Sequence, residues 1–154
     1  LQNMNNIFLP INKHGRNSSD AVRVINEKFA SDALMLYFPA GLCSRKTKGE
    51  ICDLDWKKTV VSKAKEYNRD IIPVHFEGKN SKFFYNLANF RKRVGLKANV
   101  EMLYLSDEMF KQNDQTFTIT VGEPISHEEF TRDKKDVEWA QWIKTKVYEL
   151  PKTK

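Results

Sequence analysis

Apolar residues along this chain fall into two kinds of run that take turns. Residues 7–11, 33–38 and 70–76 are compact apolar stretches of strand length, and 101–105 and 116–122 are two more. Between them the apolar positions recur every three or four residues, the spacing of one helix face. Val22, Ile25 and Phe29 form such a stripe, with Ser18 or Ser19 placed to cap a helix running to about residue 30. Trp56, Val60, Ala64 and Tyr67 form a second stripe. Phe83, Leu87, Phe90 and Val94 form a third, capped by Ser81 after a turn at Glu77-Gly78-Lys79-Asn80, with Arg91 to Arg93 at its basic end. A short helix is expected from Asp107, and Val137, Ala140, Ile143 and Val147 mark the inner face of a last helix over residues 134–150. The aromatic residues Phe83, Phe84, Tyr85 and Phe90 are expected in the core. Strands alternating with helices predict an α/β domain, a mainly parallel or mixed sheet flanked by helices, because parallel neighbours need crossover connections. No repeat, low-complexity tract or linker divides residues 1–154, so one domain is predicted.

The pattern breaks at Phe38-Pro39-Ala40-Gly41-Leu42-Cys43-Ser44-Arg45. Pro39 cannot donate to a ladder and Gly41 can take backbone angles closed to other residues, so the chain should leave the sheet sharply there. A polar loop then runs through Asp55, longer than a simple connection needs. Ser44 and Arg45 would stand at a strand's carboxyl end, where open α/β sheets bind ligands, and a hydroxyl beside a guanidinium suits a phosphate or carboxylate. An ordinary turn with a solvated arginine fits the same local pattern.

Phe38-Pro39-x-Gly41-x-x-Ser44-Arg45 resembles the third signature block of the glycerolipid acyltransferase superfamily, enzymes that acylate lysophosphatidate and related lipids. Pro10-Ile11-Asn12-Lys13, with Arg16 soon after, is similar to the second block, and Ile71-Ile72-Pro73-Val74 looks like the fourth. A longer run, through Tyr85-Asn86-Leu87-Ala88-Asn89 to Gly122-Glu123-Pro124-Ile125, resembles the bacterial branch that carries the label hemolysin. The resemblance spans roughly residues 7–150. It implies a glycerol-3-phosphate acyltransferase-like fold and an O-acyltransferase of membrane-lipid synthesis. The acyl donor would be an acyl carrier protein or coenzyme A thioester, used as co-substrate with no cofactor, and the acceptor a lyso-lipid with a polar or anionic headgroup.

What the resemblance implies for the site is substrate binding by Lys13, Arg16, Phe38, Pro39, Gly41, Ser44 and Arg45. The cationic residues and Ser44 would hold the headgroup, Gly41 would admit substrate to the backbone, and Phe38 and Pro39 would shape the pocket floor. Three departures accompany it. Ala40 stands where the superfamily usually has glutamate, and Lys13 replaces an arginine, so two-pronged recognition is lost there. The first block, a histidine with an aspartate after four intervening residues, has no match: His14 precedes Asp20 by six positions, and neither His75 nor His127 has an aspartate at that offset. The chain opens at Leu1, and the expectation is the carboxyl-terminal portion of an acyltransferase domain, with the catalytic pair upstream and little turnover from these residues alone.

Composition narrows the partners. The net charge is +6 with a pI near 9.3, and cations cluster at Arg45-Lys46-Lys48, Lys57-Lys58, Arg91-Lys92-Arg93 and Lys152 with Lys154. Lipid headgroups, acyl carrier protein and peripheral contact with an anionic membrane fit these patches, whereas no nucleic-acid-binding motif accompanies them. A non-catalytic lipid- or carrier-binding module of the same fold and a basic nucleic-acid-binding domain are the other readings. No apolar run approaches the roughly 20 residues of a bilayer span. Cys43 and Cys52 suit reduced thiols, and Cys43 lacks the basic partner a nucleophile needs. His127-Glu128-Glu129 has Thr131 where a zinc motif needs its second histidine, so no metal is expected. The expected setting is cytoplasmic, at the inner face of the cell membrane.

Overall fold

The computed structural model describes residues 8–9 and 19–152. Helix α1 (Ser19–Ala30) is followed by a segment without regular structure and then by a hairpin of β1 (Arg45–Thr47) and β2 (Glu50–Cys52), with Lys46 opposite Ile51. The hairpin turns on Lys48 and Gly49, whose φ angles of 51° and 91° are both positive. That pairing matches the twist of the flanking strands and is what a two-residue hairpin demands. There follow α2 (Thr59–Glu66), β3 (Val74–Glu77), α3 (Lys82–Arg93), a 3-10 segment (Val100–Tyr104) running into α4 (Leu105–Phe110), β4 (Thr118–Val121), a 3-10 turn (His127–Glu129), α5 (Asp136–Glu149) and a final 3-10 turn (Leu150–Lys152).

Strands β3 and β4 pair antiparallel, with Val74 opposite Val121 and Phe76 opposite Ile119. A bridge between Ile71 and Ile125 prolongs this ladder, and the Gly122 N–H donates to the Pro73 carbonyl at 2.9 Å. The Ile71-to-Val74 and Gly122-to-Ile125 segments, far apart in sequence, are therefore two sides of one ladder. A Cβ on Gly122 would lie 2.7 Å from Leu150 Cδ2 and 3.0 Å from Pro73 Cγ, so the position accepts only glycine without rearrangement.

The core lies where α2 and α5 meet the end of that ladder. Trp56, Val61, Ala64, Ile125, Phe130 and the inner face of α5 form one cluster, and Ala40 belongs to it. Trp139, Ala140, Ile143 and Val147 are the buried residues of α5. Asp136 accepts from Ser62 Oγ at 2.7 Å and from Lys65 Nζ at 3.0 Å, joining the start of α5 to α2. Gln141 brackets the Trp56 backbone from both sides, and Lys144 Nζ donates to the Asp53 carbonyl at 2.7 Å. The polar loop before α2 is thus clamped onto α5.

The mixture of helices and strands is the α/β class expected, and the paired strands described are antiparallel, in two small sheets. Several local expectations need correction. Residues 33–38 join no ladder, and Leu34 is 90% exposed. An apolar run becomes a strand only beside a hydrogen-bonding neighbour; here Arg69 instead ties the chain down by donating to the Phe29, Ser31 and Ala33 carbonyls. Residues 101–105 are helical rather than extended, and Glu101 within them is buried against two arginines. On α3 the buried residues are Phe84, Tyr85, Ala88 and Arg91; of the predicted stripe, Phe83, Phe90 and Val94 face outward and Leu87 is half-buried. Val137 is likewise exposed, with Trp139 taking the inner position, and Val22 on α1 is exposed. Of the strand expected over 7–11, residues 7, 10 and 11 lie outside the described residues.

Candidate functional site

The third-block segment begins with a tight turn. The Gly41 N–H donates to the Phe38 carbonyl at 3.1 Å, which places Pro39 and Ala40 at the turn's centre, where proline's fixed φ is favourable. Gly41 follows at φ 69°, in the left-handed region. The Pro39 carbonyl accepts from the Lys57 N–H at 3.2 Å, and the Lys57 ammonium lies beside Gly41. Ala40 turns inward to the cluster containing Trp56, so a glutamate here would bury an unpaired carboxylate. Phe38 stays exposed and Pro39 is half-buried.

Beyond the turn, α3 and the 3-10 segment that follows it grip the chain. Ser44 Oγ and Tyr85 Oη lie 3.2 Å apart, and the same Tyr85 oxygen accepts from the Asn80 N–H at 3.1 Å. One residue on, Arg45 is 3% exposed and its Nη2 donates to Glu101 Oε1 at 2.9 Å. Glu101 is fully buried, and its Oε2 accepts from Arg91 Nε at 2.9 Å. Arg45 Nη1 also donates to the Cys43 and Ser44 carbonyls, and its guanidinium lies 5.8 Å from the Phe84 ring centroid. The positive tip expected at this strand end is therefore turned inward and neutralised. A third tie runs from Asn89 Nδ2 to the Lys46 carbonyl at 3.3 Å.

The frame that holds α3 is itself built around a buried carboxylate. Ser81 caps the helix by accepting from the Phe84 N–H at 3.2 Å, while Ser81 Oγ donates to Glu108 Oε1 at 2.7 Å. Burial pushes the Glu108 carboxyl up, but hydrogen bonds from Ser81 and Lys111 outweigh it and hold the group below its ordinary value.

Of the residues expected to bind substrate, Phe38, Pro39, Gly41, Ser44 and Arg45 form one continuous segment against α3, and Lys13 and Arg16 lie outside the described residues. Tyr85, Asn89, Arg91 and Glu101 escaped prediction as partners. One signal was available: a lone glutamate inside the apolar run Val100-Glu101-Met102-Leu103 calls for buried cations. His127, dismissed on spacing, does meet an aspartate: its Nδ1 lies 3.0 Å from Asp70 Oδ1, which also accepts the His127 N–H. Hydrogen bonding to His127 holds the Asp70 carboxyl below its ordinary value. The pair sits beside the Ile71–Ile125 bridge, and its contacts close that end of the ladder. Among the described residues no cluster of histidine, cysteine and carboxylate side chains could hold a metal, and no helix is long and apolar enough to cross a membrane.

The third-block segment thus folds back on α3, and the proline-bearing stretch Ile71 to Val74 pairs with Gly122 to Ile125. The chain belongs to the acyltransferase family, whose profile matches residues 1–153. It is 52% identical over 144 residues to the lyso-glycine lipid O-acyltransferase of Phocaeicola vulgatus, covering 94% of this chain and 52% of that protein. It is 48% identical over 150 residues to the lyso-glycine lipid O-acyltransferase of Bacteroides thetaiotaomicron, covering 97% and 55% respectively. The chain thus spans about half the length of the curated relatives it matches. No solved structure matches it.

Proposed function

We propose that the protein is a lyso-lipid O-acyltransferase whose residues 1–154 supply the acceptor-holding part of the site. The hydroxyl oxygen of the lyso-lipid attacks the thioester carbonyl carbon of an acyl carrier protein or coenzyme A donor. The carbon–sulfur bond breaks, the hydroxyl proton passes through a base, and the thiol leaves with it. The observation that carries this reading is the Ser44–Arg45 corner, held by Tyr85 and by the buried Glu101, in a chain about half identical to two lyso-glycine lipid O-acyltransferases. Arg45 acts through Glu101 to fix the backbone of the corner, leaving Ser44, the exposed Phe38 and the cations Lys13 and Arg16 to meet the acceptor. An amino-acid lipid carrying a free hydroxyl is the favoured acceptor, since both relatives bear that name and an amino-acid headgroup offers a carboxylate to cations.

The test is acyl transfer by the intact protein from acyl carrier protein or coenzyme A thioesters to lyso-glycine lipid and to lysophosphatidate. Product from the glycine lipid, with an acceptor KM raised in Lys13→Ala and Arg16→Ala at unchanged donor KM, is the expected result. No product from either acceptor overturns it.

A further inference from the structure

Helix α3 has two apolar faces, and the Ser44–Arg45 corner uses only one. Phe84, Tyr85, Ala88 and Arg91 are turned inward. Phe83, Phe90 and Val94 are 49%, 62% and 58% exposed. These three recur at spacings of seven and eleven, which at about 100° per residue puts them within about 20° of one line along the helix. Leu96, whose carbonyl accepts from Arg91 Nη1 at 2.9 Å, and Leu103 and Tyr104 of the neighbouring 3-10 segment extend the exposed apolar surface. Tyr104 meets Phe83 edge-on, with ring centroids 5.1 Å apart.

Charge says what this face meets. Helix α3 carries no acidic residue; Lys82 begins it, Lys92 and Arg93 end it, and Lys97 follows. Lys111 adds a cation 5.9 Å from the Phe83 ring centroid. Nearby acids are spoken for: Asp107 pairs with Lys111 at 2.6 Å, and Glu101 and Glu108 are buried. Aromatic and aliphatic side chains flanked by Lys82, Arg93 and Lys97, none of which forms an ion pair among the described residues, suit the boundary of an anionic bilayer, where rings enter the headgroup layer and cations meet phosphate. The exposed side of the β3–β4 ladder, with Val74, Phe76, Ile119 and Val121, is a separate apolar patch. On α3 the Asn89-to-Lys46 hydrogen bond ties the third-block hairpin to the cationic flank of the stripe.

We propose that the outer face of α3 docks on the surface of an anionic lipid bilayer and thereby sets the third-block corner at headgroup level. This deepens the acyltransferase reading and rests on it only for its purpose. The experiment is sedimentation of the intact protein with phosphatidylcholine vesicles, with and without phosphatidylglycerol. Binding is expected only with phosphatidylglycerol. Phe83→Ser with Phe90→Ser should weaken it about tenfold or more, and Lys82→Glu or Arg93→Glu about fivefold each. Ile119→Ser on the ladder should leave it unchanged, and thermal melts should show each variant folded, since the altered side chains are exposed. No binding to phosphatidylglycerol vesicles, or equal binding by the Phe83→Ser, Phe90→Ser variant, overturns the proposal. So does a Phe90→Cys protein whose reaction with a water-soluble maleimide, without vesicles, does not exceed that of Cys43 and Cys52, because another polypeptide would then cover the stripe. Transfer to lyso-lipid in neutral detergent micelles separates the two readings. Its retention by the stripe variant leaves the enzyme reading intact whatever the vesicles show, and its absence from the unaltered protein removes that reading alone.

Discussion

Arg45, at the end of the third block, reaches across 56 positions of sequence to donate from Nη2 to Glu101 Oε1 at 2.9 Å. The carboxylate is fully buried and also serves Arg91, so one negative charge balances two guanidinium groups in the interior. Buried pairs of this kind add little net stability when complete, because desolvation offsets their attraction, yet removing one partner leaves uncompensated charge. Glu101→Gln is therefore expected to cost about 3 to 5 kcal/mol in chemical denaturation. A loss below about 1 kcal/mol would mean the charges are solvated, as exposed pairs are.

The Tyr85 hydroxyl serves two masters, the Ser44 hydroxyl and the Asn80 N–H. Tyr85→Phe keeps the ring in the core and removes both bonds, leaving a donor unsatisfied at a cost of about 1 to 3 kcal/mol. Its kinetic signature distinguishes packing from positioning. A freed Ser44 corner should raise the KM for the lyso-lipid while the donor KM stays put, and Ser44→Ala should give the same split. Equal rises for both substrates would reduce Tyr85 to a core residue.

The readable parts of this fold are those specified locally. Ser81 is a cap by its chemistry wherever it stands before an apolar helix, and the inner face of α5 needs only Ala140, Ile143 and Val147 at helical spacing. The rotation of α3 is a different matter, since Phe83, Phe90 and Val94 make as good a stripe as Phe84, Ala88 and Arg91. What chooses between them is Glu101, through its claim on Arg91, and that claim is invisible without the partner. The inward turn of Arg45 was hidden for the same reason, since the sequence shows only a cation suited to a headgroup and not the Glu101 it pairs with. The turn at Phe38 to Gly41 was legible because proline and glycine act on their own backbone.

Acid should loosen the junction of α2 with α5. Hydrogen bonding from the Ser62 hydroxyl, then from Lys65, holds the Asp136 carboxyl below its ordinary value of 3.8. A carboxyl whose folded-state pKa is depressed contributes stability that is fully present above the unfolded value and is lost as pH falls through the folded one. Melting temperatures of the unaltered protein and Asp136→Asn, followed from pH about 6 down to about 3, should therefore start apart and converge. Parallel curves across that range would show that Asp136 does not titrate with folding.

At Gly122 a single methyl group would meet packed neighbours on two sides. Its N–H pairs with the Pro73 carbonyl, and the side chains of Pro73 and Leu150 close over the space a Cβ would need, at 3.0 and 2.7 Å. The Pro73 ring is fixed by its own backbone, whereas the Leu150 side chain can turn away at the cost of its packing. Gly122→Ala is accordingly expected to destabilise by about 1 to 3 kcal/mol, as overpacking does. Leu150→Ala in the same chain should recover part of that loss, and the recovery is the informative quantity. A pair of changes whose effects simply add would mean that strain resides in the ladder backbone rather than in the contact between Gly122 and Leu150.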